Sequence, residues 1–165
     1  MKTASSWSTD NRADLIAGVV SEPVEFRALE PTWTELLRSV ASYSVAQGFP
    51  YVQVAWEQIE KLGGELKVIT VQRGQTLVAV WSLYTRRECG RVVARHLGCG
   101  LNEEYSGPLV RDEEDADNIR RARTLELART FADVLEIFGL RSPSPLAKVI
   151  AENRLFKDHH FVRSP

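Results

Sequence analysis

The stretch Leu66-Lys67-Val68-Ile69-Thr70-Val71-Gln72-Arg73-Gly74-Gln75-Thr76-Leu77-Val78-Ala79-Val80-Trp81-Ser82-Leu83 decides how the chain folds. It reads as two strands joined by a tight turn at Arg73-Gly74-Gln75, and a third follows at Arg91–Leu97 after the turn Glu88-Cys89-Gly90. The strands are expected over Leu66–Arg73, Thr76–Thr85 and Arg91–Leu97. Leu77-Val78-Ala79-Val80-Trp81 has no polar residue on either side of its pleat, whereas the flanking strands mix apolar and charged positions. The middle run is therefore expected to be the central strand of an antiparallel meander.

Working outward toward the N-terminus, residues 1–20 read as a poorly ordered tail, rich in Ser, Thr, Asp and Asn, with residues 21–165 forming a single domain. The apolar piece Leu15-Ile16-Ala17-Gly18-Val19-Val20 fits either a strand or a frayed turn. Val24, Phe26 and Ala28 alternate with Glu25 and Arg27, which predicts a first strand over Pro23–Leu29. Thr32 followed by Glu35 suggests a capping box, and Trp33, Leu36, Leu37, Val40 and Ala41 recur at helical spacing, so a helix is expected from Trp33 to Gln47. A second helix, Val54–Leu62, is expected after Phe49-Pro50-Tyr51 and before Gly63-Gly64.

Toward the C-terminus, Leu101–Val110 is a long connection with one extended piece at Pro108–Val110; such loops often line a site. The acidic cluster Asp112-Glu113-Glu114-Asp115 with Asp117 suits the N-terminus of the longest helix, where a helix dipole stabilises negative charge. Ala128, Phe131, Ala132, Leu135 and Phe138 supply that helix with a buried stripe ending at Gly139. A short helix over Leu146–Asn153 and a last strand at His159–Arg163 complete the chain.

Composition narrows the function. One domain fits 165 residues, and 21 basic against 22 acidic residues provide no global pull toward nucleic acid. Two cysteines, Cys89 and Cys99, are too few for a disulfide scaffold, and no run approaches the length of a membrane span or a signal peptide. A cytoplasmic protein is expected. His159 and His160 are adjacent and would point to opposite sides of a strand, and His96 has no ligand partner near it in sequence, so no metal site is expected.

Arg95-His96-Leu97-Gly98-Cys99-Gly100 has the R-x-x-G-x-G spacing with which acyl-CoA N-acyltransferases cradle a pyrophosphate on backbone N–H groups at a helix N-terminus. Glu103, Glu104 and Pro108 follow where that helix would begin, which favours a Gly-rich strand end instead. Cys99 reads as a small buried thiol, and Trp33, Trp56 and Trp81 as core. Glu104 beside Tyr105 is a pair suited to general acid–base work in a cleft, although an exposed loop pair is the more common explanation.

Several strings together resemble the N-terminal half of the CelD/BcsL type of GNAT-related acetyltransferase, associated with cellulose biosynthesis, and more distantly the FemAB-like aminoacyltransferases. These are Phe49-Pro50-Tyr51 with Ala55-Trp56, the hairpin Leu66–Val71 with Leu77–Leu83, Arg95-His96-Leu97-Gly98, and Glu104-Tyr105-Ser106-Gly107-Pro108-Leu109. The family often has Pro-Leu where this chain has Ser82-Leu83. The resemblance implies an α+β fold, a GNAT-like half with a central antiparallel meander and helices packed on its faces.

It also implies a protein that transfers, or helps transfer, an acyl group from acetyl-CoA or another acyl-CoA to an amine or a sugar hydroxyl. Arg95, Gly98 and Gly100 would be the cofactor-binding residues. Asn102, Glu104 and Tyr105 would line the acceptor cleft, with Phe49 and Trp56 as its apolar wall. In that family the acyl-CoA-binding half is the C-terminal one, so this chain resembles the half that shapes the acceptor side. The other expectation is a non-catalytic GNAT-like module that binds a partner protein, such as a second GNAT-like half, or self-associates as a homodimer.

Overall fold

The computed structural model describes residues 15–41, 43–98, 107–111, 116–138, 146 and 149–150. They form an α+β arrangement around a six-stranded, mostly antiparallel sheet. The elements in order are β1 (Leu15–Val20), α1 (Pro23–Ala28), α2 (Glu30–Arg38), α3 (Phe49–Lys61), β2 (Glu65–Arg73), β3 (Thr76–Glu88), β4 (Arg91–His96), β5 (Leu109–Val110), α4 (Ala116–Phe131) and β6 (Val134–Glu136). The sheet runs β1-β2-β3-β4-β6, and β5 pairs with β3.

The meander forms as expected, and its middle strand is central because both of its faces are covered. Leu77 through Thr85 are buried without interruption. Alternate residues feed two cores, as the two-residue period of a strand dictates. Leu66, Val68, Val80 and Tyr84 join Phe26, Trp33, Leu36, Phe49, Val52, Ala55 and Trp56 from the α1–α3 layer. Ile69, Trp81 and Leu83 join Leu125 and Ala128 of α4 with Leu146, Val149 and Ile150. The last three occupy helical positions in the stretch read as a short helix. At the β3–β4 hairpin Cys89 and Gly90 both have positive φ, +48° and +80°, the geometry of a two-residue turn matching the twist of the strands.

Four expectations are corrected. Leu15–Val20, grouped with the tail, is strand β1, antiparallel to β2 in continuous register from Leu15 opposite Arg73 to Val20 opposite Val68. Pro23–Ala28 is a helix, not a strand: Pro23 occupies its first turn, where a missing N–H costs nothing, and only Phe26 of the alternating set is buried while Val24 faces out.

The helix expected to reach Gln47 stops at Arg38. Thr32 does not cap it; the N-cap is Leu29, whose carbonyl accepts the Thr32 hydroxyl at 3.0 Å. A separate 3₁₀ turn at Val45–Gln47 is closed by a capping box between Ser44 and Gln47. Phe49-Pro50 does not interrupt α3 but starts it, with proline again in the first turn.

The fourth concerns α4. It ends at Phe131, and Val134–Glu136 adds to the sheet as β6, parallel to β4. Asp133 makes the switch: its N–H donates to the Val92 carbonyl at 2.8 Å and its carboxylate accepts the Val92 N–H at 2.7 Å. Leu135 therefore meets the α4-side core from a strand. The tail residues 1–14, the acidic cluster 112–115 and the expected last strand at 159–163 lie outside the described residues.

Candidate functional site

β3 has two neighbours along its outer edge, and the place where one hands over to the other is the most chemically varied part of the molecule. β4 pairs with Leu83–Glu88 and β5 with Ala79–Val80. Between them His96 and Leu97 close the gap: the Leu97 N–H donates to the Ser82 carbonyl at 3.0 Å. The Ser82 hydroxyl and His96 Nε2 share a hydrogen bond of 3.1 Å. Both residues are buried, and burial pushes the imidazole down to about 4, so the ring is neutral at pH 7. A serine and a histidine in contact have the makings of a nucleophile and its base, but with no exposed face the pair serves as a plug.

Gly98 follows at once with φ +97°, a conformation open to glycine at little cost. A Cβ there would lie 2.6 Å from Cε1 of Tyr51, so the α3 ring packs directly on the backbone. The chain re-enters at Gly107, whose carbonyl accepts a hydrogen bond from Gln47 Nε2 at 3.1 Å. Gln47 is held in turn: its carbonyl accepts the Trp33 Nε1–H at 2.8 Å and its side-chain oxygen accepts the Ser44 N–H at 3.0 Å. Gly98 and Gly107 are thus both held at the N-terminal end of α3, one by Tyr51 and the other by Gln47. The Tyr51 hydroxyl and the Trp56 Nε1–H are buried with no hydrogen-bond partner among the described residues.

Gly98→Ala is expected to destabilise the fold by about 1–3 kcal/mol, because the strained φ and the Tyr51 contact act together. In a Tyr51→Ala background the same substitution should cost less, since the ring is gone and only the φ remains. Urea unfolding of the four proteins of that cycle measures the difference.

The residues singled out from the sequence are distributed differently from the expectation. Arg95 is partly buried and already paired: its guanidinium forks onto both oxygens of Glu88, at 2.5 and 2.9 Å, while Nε donates to Glu136 of β6 at 2.6 Å. That fork holds the Glu88 carboxyl below the usual carboxylate range. Phe49 is interior, 5.0 Å from Phe26 and 5.5 Å from Trp33 between ring centroids, and Trp56 belongs to the same core. Neither side chain is the wall of an open cleft.

Gly98 alone among the expected phosphate-loop residues stands at the strand end as a backbone feature. Gly100, Asn102, Glu104 and Tyr105, like Cys99, lie outside the described residues. The Ser82–His96 bond was missed; the available signal was a hydroxyl in an otherwise apolar, doubly covered strand, which must find a partner.

The described residues do not suit a coenzyme A pyrophosphate. The expected cation already faces two carboxylates, and these would repel the phosphates. Among the described residues, no group of three or more His, Cys, Asp or Glu side chains could hold a metal ion, and no helix is long and apolar enough to cross a membrane. Compared with protein-family models, with curated proteins and with solved structures, the chain matches none.

Proposed function

We propose that the chain is a GNAT-like half that helps acyl transfer by holding the acceptor, an amine or a sugar hydroxyl, near the start of α3, where Gly98 and Gly107 are anchored. The observation that carries this reading is the pairing of anchors. Gly98 against Tyr51 and Gly107 on Gln47 are held at the same helix end, beside the Tyr51 hydroxyl, which has no hydrogen-bond partner among the described residues. Asn102, Glu104 and Tyr105 lie between them in sequence and supply a carboxylate, an amide and a phenol able to hydrogen-bond a polyhydroxylated or amino-bearing acceptor.

The role is alignment. Holding the attacking group in a fixed orientation converts a bimolecular encounter into a pre-ordered one, and that is the contribution an acceptor-side half makes. The engagement of Arg95 supports assigning the acyl donor to a different surface.

The test is thermal unfolding of the full chain with glucosamine, with cellobiose and with acetyl-CoA, since a ligand bound by the native state alone raises the melting temperature. A rise with a saccharide that Tyr105→Phe or Glu104→Gln diminishes is the expected result, with no rise from acetyl-CoA. A rise with acetyl-CoA would overturn the acceptor-side assignment in favour of a working phosphate cradle. No rise with any of the three would overturn the acyl-transfer reading itself.

A further inference from the structure

The two edges of the sheet are built differently. β6, at one end, has three residues, includes Glu136 and follows directly on Asp133, whose carboxylate binds Val92. A short edge carrying charge is a poor template for another strand. β1, at the other end, has six residues, Leu15-Ile16-Ala17-Gly18-Val19-Val20, with no charge and no proline. Its pairing with β2 runs unbroken through all six, so no bulge turns the edge aside.

Burial shows the same asymmetry. Five of the nine residues of β2 are buried, whereas none of the six in β1 is, and Ile16 is 68% exposed. Yet β1 touches every layer: Val20 packs on the α1–α3 core, Val19 on the α4 core, and Leu15 and Ala17 on a third cluster around Val71, Val78, Ala79 and Val110. Among the described residues no strand lies beyond it. It is half of an apolar contact on both of its faces.

The strand's own sequence indicates what completes that contact. A two-fold axis perpendicular to the sheet has to pass through a residue that faces its own copy, and one through Gly18 sets Ile16 opposite Val20 and Ala17 opposite Val19. Every cross-strand pair within β1 is then apolar, no like charges face each other, and Gly18, with no side chain, meets its own copy at the axis. We propose that β1 is a dimerisation strand, pairing antiparallel with β1 of a second copy so that the two sheets become one. This inference stands apart from the acyl-transfer reading, and its measurement involves no acyl donor or acceptor.

Sedimentation equilibrium of the full chain over a dilution series tests it. The wild type is expected at twice the chain mass, falling toward the single mass on dilution. Ile16→Lys, placing a charge in each Ile16–Val20 pair, should give a monomer at concentrations where the wild type is dimeric. Val24→Lys, at an exposed valine on α1 away from the strand, should leave the dimer intact. Circular dichroism of both variants confirms that they fold.

As a second measurement, amide exchange over residues 15–20 should quicken on dilution. A wild type monomeric throughout, a dimer that Ile16→Lys leaves unchanged, or protection of these amides that is independent of concentration would each overturn the proposal. The last result would mean that a segment of the same chain covers the edge.

Discussion

Trp33→Ala is expected to lower the unfolding free energy by about 3–5 kcal/mol, the range for deleting a large aromatic side chain from a packed interior. Trp33 is 1% exposed and sits edge-on to Phe26 and Phe49, at centroid distances of 6.3 and 5.5 Å. Such pairs add to the hydrophobic burial of the rings. Its indole N–H also donates to the carbonyl of Gln47, and the Gln47 side chain both closes the capping box of the 3₁₀ turn and holds the Gly107 carbonyl. Losing the indole therefore loosens the anchor of Gly107 as well as opening a cavity.

Trp33→Phe separates the two effects, because it retains most of the apolar ring and leaves a buried carbonyl with one partner fewer, a change of about 1–3 kcal/mol. Urea unfolding followed by circular dichroism should show the midpoint falling in the order wild type, Trp33→Phe, Trp33→Ala, with a similar slope in each. If Trp33→Ala cost under about 1 kcal/mol, the packing around α2 would not be the cohesive core described above.

Acid should weaken the protein through His96. The ring titrates near 6.5 when free and is pushed down to about 4 by burial in the fold. Between those values the unfolded chain binds a proton that the folded chain refuses, so stability rises with pH across the interval. The contribution is fully present above about 6.5 and is lost as pH falls toward about 4, a difference of up to roughly 3 kcal/mol at 1.36 kcal/mol per pH unit.

Glu88, whose carboxyl is held below its ordinary value by Arg95, keeps its charge to lower pH than a free glutamate does. Urea midpoints measured from pH 7 to pH 4 should fall steeply for the wild type. They should fall less for His96→Asn, which is less stable at pH 7 because it replaces a fitted ring bonded to Ser82. Equal slopes in the two proteins would mean that His96 charges in the folded state, and the plug between β4 and β5 would then be open to water.

The meander was legible because its information is local. Strand period, the glycine turns and the unbroken apolar run Leu77–Trp81 are all properties of neighbouring residues, and the strand ends came within a few residues of those observed. The misread segments are those for which two periods fit equally well. Val24-Glu25-Phe26-Arg27-Ala28 alternates like a strand, but with one apolar side chain buried and proline in its first turn it satisfies a short helix better. Phe131, Leu135 and Phe138 are spaced for a helix, while Val134-Leu135-Glu136 also alternates. The free edge of β4, with Val92 exchanging two hydrogen bonds with Asp133, settled that choice in favour of a strand.

The candidate site divides along the same line. The amino-acid sequence by itself determined that Arg95 and Gly98 end a strand, that a polar connection follows, and that the middle strand is covered on both faces, since these depend on residue type and spacing. Only the tertiary structure decided what those residues do. Arg95 meets Glu88 across a hairpin and Glu136 forty-one positions away; His96 finds Ser82; and Gly98 meets Tyr51 because a helix and a strand end are pressed together. A cation's partner, an imidazole's proton affinity and the room beside a glycine are set by atoms distant in the chain, and no local pattern encodes which of them packing will bring near.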